Sequence, residues 1–277
     1  MKNGNRLKKK NIIITLGLVL ISFGFFSAIL LNNMHKNNLR KQEVEKQNEI
    51  AKRHKKEKKK LEEKKAKERK EETPGQFTPW TVKREDGKKI AYLTFDDGPS
   101  PNTAKIIDIL NQNNIKATFF LIGSNAENFP DLVREEFKNG EVIGNHTYSH
   151  ILSNKLNPEK FLEDLNKCDE VLKNILGKNY DSRLARFPGG SFGNNLNATR
   201  EAVTKAGYRF VDWNDEIGDA RGKNLPEAVL LSNLKKYTNY DTVVLLMHDT
   251  TPKTTTVAVL PQIIQYLRDR GYIFATL

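Results

Sequence analysis

Ile90-Ala91-Tyr92-Leu93-Thr94-Phe95-Asp96-Asp97-Gly98-Pro99 decides how this chain is read. A β-prone apolar run ends in two adjacent carboxylates, and a Gly-Pro turn follows at once. Asp-Asp-Gly is most often just an acidic turn. A strand that delivers a carboxylate pair to its own C-terminal end, however, suits metal binding and acid/base chemistry. Four further segments follow in order: His146-Thr147-Tyr148-Ser149-His150, Arg186-Phe187-Pro188-Gly189-Gly190, Trp213 with Asp219, and Leu246-Met247-His248-Asp249.

Around them, strand-like runs at 90–95, 117–121, 141–144, 184–187, 208–213 and 242–247 alternate with helix-like periods at 103–113, 130–139, 158–176, 196–206, 225–236 and 257–270. Such alternation predicts an α/β fold with parallel strands. The unusual residues fall at strand ends, where βα loops build active sites. Six or seven units are counted, short of a complete eightfold barrel, and spacing alone does not separate an incomplete barrel from an open doubly wound sheet. The single cysteine, Cys168, excludes an internal disulfide. It recurs with Phe161, Leu165 and Leu172 at helical spacing, which predicts a core-facing position and not a nucleophile.

The formal charge of +12 invites a nucleic-acid reading, but its location argues against one. Residues 1–31 carry five Lys/Arg and no Asp/Glu; residues 32–72 carry sixteen and nine. The remaining stretch, 73–277, holds 25 of each sign and is formally neutral. A nucleic-acid-binding domain shows its basic patch on the fold itself. Residues 12–31 are apolar and about long enough to cross a hydrocarbon core of roughly 30 Å. A cleaved signal peptide is the alternative, but Phe26 spoils a small-x-small cleavage site ending at Ala28. The expectation is a basic inside tail (1–11), a single-pass signal anchor (12–31), a charged spacer (32–76) and a domain over 77–277. The spacer lacks the apolar stripe of a coiled coil and reads as a solvated tether; attachment to anionic lipid or wall polymer is the sharper alternative.

His146, His150 and His248 are the three histidines after the tail, and each lies just past a strand-like run. His146 and His150 are four apart, so one helical turn would put both rings on one face. With the Asp96-Asp97 pair they supply a two-histidine, one-carboxylate set. That set suits Zn²⁺ and also admits Co²⁺, Ni²⁺, Mn²⁺ or Fe²⁺. Either aspartate could be the ligand, leaving the other to accept a proton. No phosphate loop or dinucleotide fingerprint is present.

The ordered set of five motifs over roughly residues 80–277 resembles the polysaccharide deacetylase family (carbohydrate esterase family 4). The resemblance implies a distorted, incomplete (β/α) barrel of about seven units. It implies Asp96 as general base, and Asp97, His146 and His150 as metal ligands. Arg186 would hold Asp96, His248 would be the general acid, and Asp219 would contact His248. The Gly189 N–H would stabilise the oxyanion, Trp213 would line the groove, and Leu246 would form the acetyl pocket. Many members carry Tyr where this chain has Gly189; glycine keeps the N–H and loses the ring. The expected reaction is metal-dependent removal of N-acetyl groups from N-acetylglucosamine residues of an extracellular polysaccharide, peptidoglycan first, with a chitin-like or biofilm polymer or an O-acetyl ester as alternatives. From a different class, a catalytically silent glycan-binding surface protein is the rival. Expected partners are the polysaccharide and, through the anchor, membrane lipid; nothing implies nucleic acid or a protein partner.

Overall fold

β2 (Lys89–Asp96) is the strand around which the domain is organised. In this computed structural model the described residues are 73–277, except 82–86, 178–179 and 181–182, together with the isolated positions Lys36, Glu49, Lys52, Arg53 and Lys56. The expected tail, anchor and most of the spacer lie outside the described residues. Among those that are described, no helix is long and apolar enough to cross a membrane.

β2 is buried along nearly its whole length, as a parallel strand covered on both faces must be. One edge pairs throughout with β8 (Thr242–His248), in a register that sets Asp96 opposite His248. The other edge is shared. β3 (Thr118–Leu121) takes its upper part from Thr94 to Asp96, and β9 (Tyr272–Ala275) takes its lower part from Lys89 to Tyr92. Beyond β3 follow β4 (Val142–Asn145), β5 (Leu184–Ala185), β6 (Arg209–Phe210) and β1 (Gly75–Gln76); beyond β8 lies β7 (Asp215–Glu216). Every pairing is parallel.

The connectivity shows that this sheet is curled. β6 and β7 stand at opposite ends of a seven-strand path. Laid flat, that path would separate them by about 29 Å at roughly 4.8 Å per strand. Yet five residue steps join Phe210 to Asp215, and these reach at most about 18 Å. The sheet therefore closes most of a barrel and leaves a seam between β6 and β7, which resolves the choice against a flat doubly wound sheet.

Helices α1 (Thr103–Gln112), α2 (Gly123–Asn128), α3 (Pro130–Asn139), α4 (Pro158–Leu176), α5 (Asn197–Lys205), α6 (Glu227–Tyr237) and α7 (Thr254–Asp269) cover the sheet. Six of them pack neighbour to neighbour in the order α6, α7, α1, α3, α4, α5. α4 shows why the sequence folds this way. Asn157 caps it by accepting the Lys160 N–H at 2.9 Å, Pro158 opens its first turn, and Gly177 ends it at φ 96°. Its Phe161, Leu165, Cys168 and Leu172 face the core, as their spacing requires. Phe95 and Phe119 stack at 5.1 Å beneath the strand ends, and Phe187 joins Phe161 and Phe210 in a second aromatic layer. The strand ends are thereby held on rigid ground.

Candidate active site

At the top of β2 the backbone turns sharply. Asp97 adopts φ 73°, a left-handed conformation that aspartate tolerates better than most residues. The Asp97 N–H donates to Phe120 O, and Asn125 Nδ2 donates to Asp97 O at 2.8 Å. Because the chain reverses its twist there, the two adjacent carboxylates face different partners.

Asp96 faces Arg186. The guanidinium is fully buried, and its Nη1 donates to Asp96 Oδ1 at 2.8 Å and to Thr94 Oγ1 at 2.7 Å. Its Nε donates to Val211 O and its Nη2 to Asp212 O. The guanidinium lies over the Phe120 ring at 4.2 Å. A planar fork is needed to make these bonds at once, which lysine lacks. Asp96 Oδ2 is left facing His146 Nε2 at 3.8 Å.

Asp97 faces the histidines. Its Oδ1 lies 3.5 Å from His146 Nε2 and 3.1 Å from His150 Nε2. This oxygen is buried and accepts no well-directed hydrogen bond. His146 Nδ1 contacts Arg186 O at 2.8 Å, so its proton belongs on Nδ1 and the Nε2 lone pair points into the cluster. The three ligand atoms lie within 4.8 Å of one another. An orphaned carboxylate oxygen converging with an oriented imidazole lone pair is a donor set that fits a divalent cation. Burial alone would raise the Asp97 carboxyl. The contact with His150 and the charges of His146, His150 and His248 reverse this and hold it well below its ordinary value.

The helical-turn reasoning for His146 and His150 does not hold. Both sit on an irregular loop after β4, where Thr147 and His150 take φ 65° and 54°. Asn145 stabilises this loop by accepting the Thr147 N–H and donating to Leu165 O and Asp169. Loop curvature, not helical period, brings the two rings to 5.0 Å.

His248 closes β8 and is held by Asp219, whose Oδ1 contacts its Nδ1 at 2.8 Å. Asp219 Oδ2 accepts the His248 backbone N–H and the Thr256 hydroxyl. Burial lowers the imidazole pKa, but the Asp219 hydrogen bond and charge, with Asp96 and Asp97 beyond, carry it up to about 9. Asp212, next to Trp213 in the chain, instead accepts the N–H and hydroxyl of Ser191.

Gly189 has φ 78° and is exposed, and its N–H meets no acceptor among the described residues. Leu246 is buried on β8 beside Thr94. Trp213 lies on the link across the seam, 5.8 Å from the Arg186 guanidinium, and lines a depression of about 330 Å³ running to Tyr237 and Tyr240.

Sequence reasoning assigned no role to Asp249, Ser100 or Thr103. The buried Asp249 carboxylate accepts from the hydroxyls of both, and its backbone N–H donates to Asp96 O at 2.8 Å. A side chain at Gly98 would meet Asp249 Oδ2 at 2.9 Å, so glycine is required where the turn passes over this carboxylate. Burial raises Asp249 to about 6. The signal was present in Ser100-x-x-Thr103 and in the acid beside His248, but only tertiary structure joins them.

A family model described as polysaccharide deacetylase matches residues 83–211. A peptidoglycan-N-acetylglucosamine deacetylase of Bacillus cereus is 35% identical over 191 residues, covering 68% of each chain. A putative polysaccharide deacetylase of Bacillus subtilis is 32% identical over 203 residues, 71% of this chain and 70% of that one. Among solved structures, a Streptococcus mutans CE4 esterase superposes with a TM-score of 0.65 at 35% identity, covering 73% of this chain and 92% of that one.

Proposed function

The chain belongs to the polysaccharide deacetylase family, and on that footing we propose that it removes acetyl groups from N-acetylglucosamine residues of an extracellular polysaccharide, with peptidoglycan as first substrate. One observation carries the reading. The Asp97–His146–His150 cluster lies directly beside the free oxygen of Asp96, whose other oxygen is taken by buried Arg186.

Asp97, His146 and His150 would hold the cation, Zn²⁺ by preference for this donor set. When bound there, a divalent cation supplies Lewis acidity to the acetyl carbonyl and to water. Asp96 is aimed by Arg186, and its Oδ2 takes the proton of the attacking water. The Gly189 N–H donates to the carbonyl oxygen as that atom gains charge. Leu246 walls the space for the acetyl methyl. His248, kept protonated by Asp219, gives its proton to the departing nitrogen as the C–N bond breaks. Acetate and a free sugar amine result.

We place residues 12–31 as a single-pass anchor with 1–11 inside, 32–76 as its spacer and 77–277 outside. Protease treatment of intact cells should then remove the domain and spare the anchor.

The decisive assay is acetate release from N-acetylglucosamine oligomers and purified peptidoglycan by the metal-stripped, Zn²⁺-resupplied protein, with Asp96→Asn as control. Release that needs metal and vanishes in the control is the expected result, and the faster substrate names the polymer. A folded, metal-loaded protein that releases acetate only from O-acetyl esters would make it an esterase. One that releases none would make it a silent glycan-binding protein.

A further inference from the structure

Phe192 is an aromatic ring that the fold immobilises without burying. It is 54% exposed, yet nothing about its surroundings is loose. Its ring meets Trp213 edge-on, with centroids 5.4 Å apart and planes at 87°. On another side it lies against Gly190: a Cβ there would come within 2.4 Å of the Phe192 ring and 3.2 Å of Trp213. Glycine at 190 is thus what lets the ring settle over the backbone.

The loop that carries Phe192 is pinned from three directions. Ser153 Oγ contacts Pro188 O and Gly190 O. Asp212 takes the N–H and hydroxyl of Ser191 at 2.8 and 2.6 Å. Arg200 Nη1 donates to Ser191 O and Gly193 O. An exposed large apolar side chain standing singly is ordinary. This one is not single. Ile151 and Leu152, 44% and 46% exposed, follow His150 directly, and a Cβ at Gly189 would touch Leu152 at 3.2 Å. The two loops that carry the site's His150 and Arg186 therefore present an apolar rim, with Phe192 as its flat face.

Resting on the deacetylase reading above, we propose that Phe192 is a specificity-determining residue that stacks on a sugar ring next to the one being deacetylated. A pyranose has an apolar C–H face that matches an aromatic ring, and a ring already fixed by its neighbours loses little entropy on stacking. The Phe192 contact is with the neighbouring sugar and not with the reacting acetyl group, so it sets substrate affinity and chain-length preference.

The test uses the full-length protein and a series of N-acetylglucosamine oligomers. In the inactive Asp96→Asn background with Trp80→Phe, Trp213 is the remaining tryptophan and reports oligomer binding by its fluorescence. Adding Phe192→Ala should weaken tetramer binding by about tenfold, the upper end for one aromatic contact, while Phe192→Tyr should keep it. In the active enzyme Phe192→Ala should raise KM for the tetramer by a similar factor, with kcat largely kept. Equal tetramer affinity in the Phe192→Ala and parent proteins would overturn the proposal, as would a fall in kcat at constant KM. If the unsubstituted enzyme released acetate in those cases, the deacetylase reading would stand and this one alone would fail. If the unsubstituted protein neither bound oligomers nor released acetate, both would fall.

Discussion

Asp219 grips His248 at two places: one carboxylate oxygen takes the ring Nδ1 at 2.8 Å, and the other takes the residue's own backbone N–H at 2.9 Å. The imidazole is thereby fixed in orientation and in tautomer, with Nε2 free for the substrate. In the metal-free protein the ring should titrate near 9, against burial that pushes the other way. Asp219→Asn should bring it to the ordinary 6.5 or below, as read by ring-proton NMR. The alkaline limb of kcat/KM should move in the same direction, because a general acid is lost as pH rises through its pKa. The sign for stability follows: the folded pKa is raised, so the pair's contribution is fully present below about 6.5 and is lost as pH rises through about 9. An Asp219→Asn protein with an unmoved His248 would refute this.

Arg186→Met should cost about 3–5 kcal/mol in urea unfolding, since it strands a buried carboxylate. Arg186→Lys keeps the charge but not the fork that reaches Asp96, Thr94, Val211 and Asp212, and it should lie between the two. A loss below about 1 kcal/mol for Arg186→Met, the level of an exposed pair, would show that the cluster does not hold the strand ends.

Much of this architecture is legible in the chain. All six strand-like runs carry strands and the long helices form, but the runs at 184–187 and 208–213 pair over only Leu184–Ala185 and Arg209–Phe210 before the chain leaves the sheet as site loops. β7, only Asp215-Glu216, has no apolar signal; it exists because β8 offers an edge. β9 is missing from the expected runs although Tyr272-Ile273-Phe274-Ala275 is β-prone, and its pairing with the lower half of β2 has no local signal. In the site, the residue types were visible and their relations were not. Spacing could not say that Asp96 and Asp97 diverge, since the divergence rests on a single left-handed φ at Asp97. Nor could it find Thr94, whose hydroxyl receives an Arg186 bond from 92 residues away.

Glu136 offers a test of energetics away from the site. It is fully buried on α3, and neither carboxyl oxygen has a hydrogen-bond partner. Burial first, then Asp249, Glu141 and Glu135, push its pKa well above the ordinary value. Unfolding therefore releases a proton, and stability falls as pH rises above the unfolded carboxyl value of 4.5. Glu136→Met should stabilise the protein by about 1–3 kcal/mol at pH 8, with a smaller gain at pH 5. A gain equal at both pH values, or a loss, would contradict the assignment.

Adding Zn²⁺ to the stripped protein should raise its stability by about 2.7 kcal/mol at a hundred times Kd. Asp97→Ala, His146→Ala and His150→Ala should each abolish most of that rise in a thermal-shift experiment, whereas His248→Ala should keep it. A shift that survived His150→Ala would place the ion elsewhere.

The split edge of β2 has a bearing on how the protein is made. The strand that carries Asp96 is synthesised early in the domain, but the lower half of one of its edges pairs with residues 272–275, some 180 positions later. β8, which covers the other edge, is also late. Contacts of such sequence separation form slowly. Until β8 has left the ribosome, β2 has only β3 beside its upper end, and β7 has no edge to join. The strand that carries the catalytic carboxylates is thus completed on both edges only by the last residues of the domain.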